Sequence, residues 1–454
     1  MRRIIPHLSI DLSPSDLNLV EERAALLLEQ MGLDVDHAMA RSQLADHPAV
    51  IMRGDRVCFN RDYILETCRS KHAPLQTRKL NLNISTGGGA LNILDHLTGE
   101  LRTPTTDDLL QIFRIADNLC LGGDPPVIPT DLPERLREVA LYKMAWENTK
   151  SFTGRDITSI ESGEVIFEMA GVAGKSVNIP LYLINPLRVN PENLEIISHF
   201  AERMPKLSLG TMPMPGATAP LLSPGYLVQI LAEMIGGYVL LSILFPGKEV
   251  TFGGKMLAFS PYSGSIACGS PESILMGQME IALLSRYGHM PGHFFWSMAG
   301  GWDPQAASER MAGVLMGALA GVRSFGVAGR LQGEAYSLEM LIIDIEIAKY
   351  VERLLQGQAW EAEDMIWLEE IQEAIQAGTF LGVSSTSEYY RKEIQKPDLF
   401  TRMTLAQRQA QHEIPLREQI RKKLQSLDIA PQDYLTREIK AELDCIYRHA
   451  EKNF

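Results

Sequence analysis

The sequence has few of the features that mark secreted or nucleic-acid-binding proteins. Only five of its 454 residues are cysteines, and they are scattered along the chain: Cys58, Cys68, Cys120, Cys268 and Cys445. An odd and scattered set predicts reduced, buried thiols rather than a disulfide framework. The formal net charge of -13 argues against a broad basic surface that would neutralise phosphate backbones. We therefore predict no nucleic-acid partner.

Signals for export, membrane insertion and flexible linkers are also missing. The first seven residues contain no continuous apolar segment, and the most apolar later run, residues 226–245, is interrupted by Glu233 and by two glycines. Neither a signal peptide nor a membrane span is predicted. No long Pro/Ser-rich or single-sign segment divides the chain, and 45% hydrophobic residues are enough for a large core. We expect a single-domain cytoplasmic enzyme.

A catalytic zinc site is not indicated. Cys268 has no His or Cys within ten residues on either side. His289 and His293 are separated by a Met-Pro-Gly segment, and the proline prevents both imidazoles from lying on one helical face. We therefore predict that the chain binds no metal directly.

Strand-like and helix-like segments alternate through the middle of the chain. Five strand and helix pairs are predicted, at residues 177–184 and 191–204, 207–212 and 225–244, 249–252 and 272–287, 294–298 and 304–322, and 324–328 and 337–355. Residues 157–167 are compatible with strand or helix. Such a series favours a parallel sheet covered by helices, and right-handed crossovers favour closure into a (βα)8 TIM-type barrel. The predicted fold class is therefore α/β.

Additional elements flank this barrel. The sequence predicts a helix over 14–31 capped by Ser13, a hairpin of strands 50–52 and 57–59, an edge strand over 80–84, helices over 107–119 and 133–146, and charged amphipathic helices over 361–377, 404–427 and 431–449. We divide the single domain into an N-terminal extension (about 1–85), the barrel (about 86–380) and C-terminal helices (about 381–454).

The most informative segment lies between a strand-like run and a long apolar helix. Residues 207–212 are followed by Pro-Gly-Ala-Thr-Ala-Pro at 215–220, then by a helix that carries Gln229, Ala232 and Glu233. Prolines and small residues fix a tight turn at the strand's carboxyl end. In βα-repeat proteins that end of the strand is where ligands bind.

This segment resembles the signature of the trimethylamine methyltransferase family, corrinoid-dependent enzymes that demethylate methylated amines. Further matches follow in the family's order: Gly87-Gly88-Gly89, Asp95, Thr98-Gly99, Arg102, Thr105 to Asp108, Pro186-Leu187, Pro246-Gly247, Gly269 to Glu272, Asp303, Gln305-Ala306, Gly329, Leu331, Ser337 to Glu339 and Asp344 to Glu346. Together they cover nearly the whole chain.

The resemblance implies the cofactor, the partner and the substrate class. The chain has no Asp-x-His-x-x-Gly module of the kind found in corrinoid carrier proteins, so the implied cobalamin would arrive on such a carrier or bind transiently at the mouth of the barrel. The implied partner is the carrier protein. The sequence contains no pyrrolysine, unlike the trimethylamine enzymes proper. It therefore resembles the branch that demethylates glycine betaine and other quaternary amines. The N-terminal hairpin and the C-terminal helices are available as surfaces for a homo-oligomer.

A quaternary ammonium substrate needs an aromatic box more than an acid, because its amine leaves neutral. Aromatic rings attract such cations through their quadrupole. Candidate substrate-binding aromatics near predicted strand ends are Trp302, Phe294, Trp296, Phe325, Tyr336 and Tyr262. Alternation along a strand predicts that Phe294 and Trp296 face one side and Phe295 the other. The alternative is that these side chains belong to the core.

Charged candidates are fewer. Arg323 and Arg330 bracket a predicted strand, and a guanidinium fork suits the carboxylate of a betaine. Glu334 and Asp303 are the predicted catalytic carboxylates and could pair with an ammonium centre. The alternative for these carboxylates is a structural ion pair with the arginines.

Two departures from the family pattern leave other functions open. Val383-Ser384-Ser385-Thr386 stands where the family often has His-Pro-His-Thr, and residues 298–301 replace an acidic-lysine element. The chain could then be a binding or scaffolding protein without turnover. A third hypothesis is a corrinoid-independent barrel lyase that uses Glu334, Asp303 or His289 for proton transfer.

Overall fold

The computed structural model describes residues 12–74, 80–357, 366–429 and 432–454. The fold is mixed α/β, with four sheets and many helices. The described helices are α1 Pro14–Gln30, α2 Ala38–Ala45, α3 Arg61–Ser70, α4 Thr106–Asn118, α5 Arg137–Asn148, α6 Ile160–Ala173, α7 Pro191–Phe200, α8 Gly225–Leu244, α9 Pro271–Ser285, α10 Pro304–Leu319, α11 Leu338–Gln356, α12 Ile366–Ala377, α13 Ser384–Glu393, α14 Leu405–Ala410, α15 Leu416–Leu427 and α16 Arg437–Asn453.

The strands are short. They are β1 Leu33–Asp34, β2 Val50–Arg53, β3 Arg56–Phe59, β4 Asn83–Thr86, β5 Asn92–Leu94, β6 Leu101–Arg102, β7 Gly122–Gly123, β8 Pro180–Ile184, β9 Arg188–Val189, β10 Leu207–Thr211, β11 Val250–Gly254, β12 Phe259–Ser260, β13 Ser265–Ile266, β14 His293–Phe294, β15 Ser324–Gly326, β16 Arg330–Leu331 and β17 Ala335–Tyr336.

Parallel pairing builds two arcs. The first arc is β8, β10 and β11, with Leu209 opposite both Leu181 and Phe252. The second arc is β14, β15, β4 and β7, and an isolated parallel bridge between Gly123 and Phe152 extends it. Together the arcs account for the alternating strand and helix pattern. Among the described residues the hydrogen-bonded ladder is interrupted between the arcs, so no closed barrel is formed by strand pairing alone.

The predicted N-terminal strands extend the first arc. Strands β2 and β3 form the predicted antiparallel hairpin, with Met52 opposite Val57, and β1 joins this hairpin to β9. Helix α1 begins at the predicted cap. The Ser13 hydroxyl accepts a hydrogen bond from the Asp16 backbone N–H, and the Asp16 carboxylate accepts one from the Ser13 backbone N–H. This part of the sequence prediction is confirmed.

Two hydrophobic cores lie behind the arcs. Leu181, Leu183 and Leu209 turn their side chains away from the space between the arcs and pack in a core that includes α8. A second core joins α4, α10 and α11 behind β15, with Phe325 fully buried. Helix α8 is long and apolar enough to cross a membrane, but 78% of that stretch is buried inside the protein. It is therefore accounted for as a core helix.

Several predicted elements need correction. The strand expected over 80–84 at a sheet edge is β4, which lies between β15 and β7. The strand expected over 294–298 ends at Phe294, and further along the segment the Met298 backbone N–H bonds to Glu309 instead of a neighbouring strand. The helix predicted over 404–427 is two helices, and α13 was not predicted. Cys120 and Cys445 are exposed, whereas the other three cysteines are buried as expected.

Candidate active site at the carboxyl ends of the two arcs

Helix α8 of the signature fixes the ends of two neighbouring strands. Glu233 is fully buried, and its carboxylate accepts four hydrogen bonds, from Asn185 Nδ2 (2.6 Å), Thr211 Oγ1 (2.5 Å), the Leu187 backbone N–H (3.0 Å) and Gln229 Nε2 (3.0 Å). Two donors lie in the loop after β8, one ends β10 and one belongs to α8 itself. The signature carboxylate is thus a structural clamp at the ends of β8 and β10.

The loop of the signature is also held by its own residues. Thr218 Oγ1 accepts from the Met214 N–H at 2.9 Å, and the Thr218 carbonyl accepts from Gln229 Nε2 at 2.9 Å. The Gly216 N–H donates to the Ala219 carbonyl. These bonds account for the polar members of the motif without a ligand.

An aromatic pair stands at the carboxyl end of β14. The rings of Phe294 and Trp296 stack with centroids 4.5 Å apart and planes 29° from parallel. Phe295 points the other way, is fully buried and meets Phe325 edge to face. The predicted alternation along this strand is confirmed. Phe294 lies against Gly326 of β15, on the face directed into the space between the arcs.

Two of the predicted aromatics lie in the core instead. Phe325 and Tyr336 are fully buried, and Phe325 packs edge to face on His293. Tyr336 Oη accepts a hydrogen bond from Thr86 Oγ1 at 3.1 Å. Burial raises the pKa of the Tyr336 phenol above its usual value. We call the opening at the carboxyl ends of the two arcs the mouth. In this structure neither ring reaches the mouth, because both fill space behind the strands.

Trp302 and Tyr262 are positioned differently again. Trp302 Nε1 donates to Glu339 Oε2 at 2.9 Å, and Arg417 Nε donates to the other oxygen of Glu339 at 2.9 Å. This links the loop after β14 to α11 and α15. Tyr262 is 99% exposed in the turn between β12 and β13. A role for either ring in substrate binding stays a prediction.

Two of the predicted charged residues cap one helix. Asp303 Oδ1 accepts from the Ala306 N–H at 2.9 Å and begins α10. Arg323 donates to the carbonyls of Ala318 and Val322 at the other end of the same helix. Glu334 is exposed in the turn between β16 and β17. The catalytic roles of Glu334 and Asp303 stay predictions.

A charged cluster joins the strand ends of the second arc. Arg155 Nη1 donates to Asp124 Oδ2 at 2.9 Å, and the Gly88 N–H donates to the same oxygen at 3.0 Å. Arg330 Nη1 donates to the Gly88 carbonyl at 2.6 Å. Burial lowers the pKa of Arg330, and the neighbouring Arg155 lowers it further. Arg155 also lies 3.6 Å from Asp156, whereas Arg330 has no carboxylate within ion-pair distance in the part of the chain that the structure describes. We call Arg155 and Arg330 the positive cluster.

The three consecutive glycines at 87–89 are required by this cluster. A Cβ atom on the first would overlap Asp124, on the second Arg330, and on the third Arg155. All three have positive φ, at +144°, +93° and +54°. The glycine motif therefore lets the backbone pass between three charged side chains.

A second buried cluster fills the interval between β11 and β14. Lys255 Nζ lies 3.1 Å from His293 Nδ1 and 3.8 Å from Glu280 Oε2, which also accepts from the Met256 N–H. Burial lowers the pKa values of Lys255 and His293 and raises that of Glu280. The ammonium is 5.9 Å from the ring centre of Phe294. Within the described ranges no group of three or more His, Cys, Asp or Glu is arranged to hold a metal ion.

A buried ion pair holds the loops behind the mouth. Arg310 Nη1 lies 2.7 Å from Asp344 Oδ2 and donates to the Phe295 carbonyl at 2.9 Å, and its other Nη donates to the Arg330 carbonyl. The Gly329 N–H donates to the same Asp344 oxygen at 2.7 Å. Burial raises the pKa of Asp344 to about 6. The pair positions Arg330 and the β14 end without reaching solvent.

Sequence reasoning missed most of the charged residues at the strand ends. Asp124, Arg155 and Lys255 each follow a glycine directly, at or next to the carboxyl end of a strand or bridged segment. That pattern was visible in the sequence. His293 was considered only as a zinc ligand, and Glu280 lies inside an apolar helix where nothing in the sequence shows its partner.

Comparison with known proteins decides the family. A family model described as trimethylamine methyltransferase (MTTB) matches residues 1–448. The chain belongs to this family. The resemblance inferred from the sequence is thereby confirmed.

Relatives within the trimethylamine methyltransferase family differ in how much of the chain they match. The chain is 26% identical to the glycine betaine methyltransferase of Desulfitobacterium hafniense (strain Y51) over 88% of each sequence. It is 30% identical to the trimethylamine methyltransferase MttB of Methanosarcina barkeri, over 45% of the chain and 41% of that protein. With the proline betaine:corrinoid methyltransferase of Eubacterium limosum, identity is 29% over 48% of the chain and 46% of the relative.

Solved structures are more distant. The monomethylamine methyltransferase MtmB of Methanosarcina barkeri superimposes with a TM-score of 0.42 at 14% identity, over 93% of this chain and 96% of that one. Its hydroxylamine complex gives a TM-score of 0.43 with the same identity and coverage.

Proposed function

We propose that the chain transfers a methyl group from a quaternary amine of the betaine type to a corrinoid. Membership of the trimethylamine methyltransferase family supports the reaction class. The relative aligned over most of both sequences is named a glycine betaine methyltransferase, and another is named a proline betaine:corrinoid methyltransferase. Because the sequence contains no pyrrolysine, a betaine fits better than trimethylamine.

The observation that carries this proposal is the stacked pair of Phe294 and Trp296. Both rings are half-buried at a strand's carboxyl end. Rings that are partly open can offer a face to a cation, whereas the buried Phe325 and Tyr336 cannot. Each such contact contributes about 0.5 to 2 kcal/mol, more when water is excluded. We assign the ammonium group to this pair.

The architecture we propose is one (βα)8 TIM-type barrel of which the two arcs are the walls. Seven strands of the two arcs and the bridged segment at Phe152 supply eight wall positions. In this proposal the N-terminal extension, barrel and C-terminal helices follow the division at about residues 85 and 380. The binding site then lies at the carboxyl ends of the strands, as in other barrels of this kind.

The carboxylate of a betaine would bind the positive cluster of Arg155 and Arg330. Arg330 Nε is buried and has no hydrogen-bond partner among the described residues. Arg155 lies 2.9 Å from Asp124 and, more loosely, 3.6 Å from Asp156. A substrate carboxylate would offer both guanidiniums a second acceptor. Arg323, the other predicted arginine, caps α10 and is assigned a structural role.

The reaction is an in-line displacement in which the amine leaves with the electron pair of the broken N–CH3 bond. The corrinoid is the methyl acceptor, a second substrate that a carrier protein brings. The leaving amine is neutral, so no proton has to be supplied in that step. The protein's part is to hold the methyl group in line and to keep water out, which lowers the entropic cost of the encounter.

Carrier docking is expected over the mouth. Exposed apolar side chains rim it: Leu221 and Leu222 follow the signature loop, Met212 ends β10, and Tyr262 stands on the β12–β13 turn. Such an apolar rim is typical of a surface that meets another protein. We propose a cytoplasmic enzyme whose partners are the carrier protein and a small quaternary amine.

Methyl transfer can be tested with purified protein, free cob(I)alamin and a panel of betaines. We expect conversion of cob(I)alamin to methylcobalamin, followed by its absorbance change, with glycine betaine or a related carboxylated quaternary amine. Trp296→Ala should lower kcat/KM for the amine about tenfold.

Other outcomes point to the alternative functions. Calorimetric binding of a betaine with no methyl transfer would support a binding or scaffolding protein. Turnover only with a thiol or a methoxyaromatic, or a reaction that needs no corrinoid, would contradict the proposal.

A further inference from the structure

A cavity opens in the wall where the two arcs fail to pair. On one side is β8, whose Tyr182 N–H donates to Asn193 Oδ1 at 2.8 Å instead of to a neighbouring strand. On the other side is the segment that follows the bridge at Phe152. The cavity, about 240 Å³, is lined by ten residues: Asp156, Ile157, Thr158, Ile179, Pro180, Tyr182, Asn190, Glu192, Asn193 and Ile196. We call it the wall cavity.

The wall cavity has the chemistry of a cation site. Its ten lining residues include two carboxylates, Asp156 and Glu192, and one aromatic ring, Tyr182, and none of the ten is Lys or Arg. The other seven lining residues are apolar or neutral: Ile157, Ile179, Pro180 and Ile196, and the polar Thr158, Asn190 and Asn193. A quaternary ammonium ion donates no N–H hydrogen bond, so carboxylates, an aromatic face and aliphatic groups are the contacts that it can use.

One contact separates the wall cavity from the space between the arcs. Tyr182 Oη donates to Asp156 Oδ1 at 3.1 Å and spans the interval between the two walls. Tyr182 also lies beside Gly210 of β10, on the inner face of the first arc. Its ring is therefore shared by the cavity and the interior. A rotation of Tyr182 that broke this hydrogen bond would join the two spaces.

Asp156 can change partners at low cost. It lies 3.6 Å from Arg155, whose shorter ion pair is with Asp124 at 2.9 Å. If a cation approached Asp156, the Arg155 guanidinium would keep its bond to Asp124. The carboxylate could then turn to the ligand without leaving a guanidinium unpaired.

We propose that the wall cavity binds the methylated ammonium substrate and admits it from the side, separately from the mouth that faces the corrinoid carrier. The inference rests on the proposed function, because a carrier docked over the mouth would block entry of the amine there. The ligand class is a small quaternary ammonium ion. Tyr182 and Asp156 would form the inner end of the route, and Glu192 the outer end.

Binding can be measured with tetramethylammonium by NMR titration of the full-length protein. The titration is done in a Trp296→Ala background, so that the aromatic pair of the mouth contributes little. Adding Asp156→Asn and Glu192→Gln should weaken binding about tenfold. Glu195→Gln on the same helix, outside the cavity lining, is the matched control and should change nothing. Unchanged affinity in the double variant would overturn the inference.

Passage can be measured with a variant that fills the cavity. Thr158 is exposed at the rim, so Thr158→Trp should fold and obstruct the opening. With the corrinoid supplied on its carrier protein, which covers the mouth, we expect kcat/KM for the amine to fall about tenfold, while the KM for the loaded carrier stays the same. An unchanged kcat/KM would show that the amine enters elsewhere and would overturn the inference.

The two proposals fail in different ways. If tetramethylammonium binds the wall cavity and no quaternary amine is demethylated, the proposed function is wrong and the cation site stands. If betaines are demethylated but the cavity variants behave as wild type, the proposed function stands and the lateral site is wrong.

Discussion

Buried polar groups at the strand ends of the first arc are hydrogen-bonded more completely than those of the second arc. In the first arc Glu233 accepts four hydrogen bonds, so both oxygens of its carboxylate are satisfied. Behind the second arc, described buried atoms without a hydrogen-bond partner include Arg310 Nε, Arg330 Nε and Asp344 Oδ1. Satisfied groups stabilise a fold, whereas incompletely satisfied ones with shifted pKa values concentrate at functional sites. We propose that the first arc mainly supports the architecture and that most groups that meet the substrate lie at the strand ends of the second arc.

The lesson concerns which motifs identify function. The signature around α8 is the most recognisable part of the sequence, yet its polar residues are occupied by one another. The residues that can meet a substrate lie mainly at the ends of the other strands, where single charged residues follow glycines. A family signature can therefore mark the scaffold that a reaction needs rather than the groups that perform it.

The largest effect should come from removing the first-arc clamp. Glu233→Ala leaves Asn185, Thr211 and Gln229 without their shared acceptor, in a site that water does not reach. Because each buried unpaired group costs about 1 to 3 kcal/mol, we expect unfolding free energy to fall by about 4 kcal/mol. Urea denaturation measures this. Glu192→Ala, at an exposed position on α7, serves as control, and a loss of under about 1 kcal/mol for Glu233→Ala would contradict the clamp.

Next in size is a pH effect behind the second arc. Burial raises the pKa of Asp344 to about 6, above the value near 3.9 expected in the unfolded chain. Between these pH values the folded state holds a proton that the unfolded state has released. The contribution of Asp344 to stability is therefore present below about pH 4 and is lost as pH rises through 6, by up to about 3 kcal/mol.

The comparison that isolates this effect is wild type against Asp344→Asn, which cannot titrate. Chemical denaturation between pH 4 and 7.5 should show the wild type losing stability relative to the variant as pH rises. A difference that stays constant over this range would mean that Asp344 is ionised throughout, and the second arc would then be as well compensated as the first.

The aromatic pair should affect binding more than folding. Phe294→Ala removes one ring of a half-buried pair, so quaternary amine affinity should fall by about 1 to 2 kcal/mol, near tenfold. Calorimetry with glycine betaine measures this, with Tyr262→Ala as the control because that ring is fully exposed. Equal losses from both variants would place the ammonium near the exposed turn instead.

Elements of the fold that depend on contacts between residues close in sequence could be predicted, whereas those that depend on contacts between distant residues could not. Helices α1 and α8 were predicted to within a residue or so, because caps and apolar spacing are local signals. The length of β14 was not, because the segment after Phe294 makes contacts outside the sheet, such as the bond from the Met298 N–H to Glu309 of α10. The position of β4 between β15 and β7 likewise depends on pairing across 240 residues or so of chain.

The candidate site was predicted less completely. Alternation gave the shared face of Phe294 and Trp296, a local property of an extended strand. Burial of Phe325 and Tyr336 depends on how α11 packs, and the sequence holds no local signal for that. Arg330 was identified from its place after a strand. Its neighbour Arg155 was missed, since their meeting depends on three glycines of a distant loop.

A smaller effect on KM should distinguish amines that carry a carboxylate from amines that do not. Arg155→Met removes one guanidinium from the positive cluster, so KM for glycine betaine should rise about fivefold to tenfold while that for choline, which has no carboxylate, stays nearly constant. The ratio of kcat/KM for the two amines is the measurement. If both amines lose equally, the cluster has a structural role like that of Glu233, and the contrast between the arcs would weaken.

The smallest predicted effect concerns the glycine loop itself. Gly88 and Gly247 have similar positive φ values, +93° and +86°, so alanine at either position strains the backbone alike. They differ in space, because a Cβ on Gly88 would overlap Arg330, whereas nothing lies within 4 Å of one on Gly247. Gly88→Ala should therefore cost about 1 kcal/mol more in unfolding free energy than Gly247→Ala. It should also raise KM for betaine, because Arg330 has to move. Identical stability and KM in the two variants would show that the Arg330 side chain moves aside without a cost in free energy. The loop would then not hold the guanidinium in place.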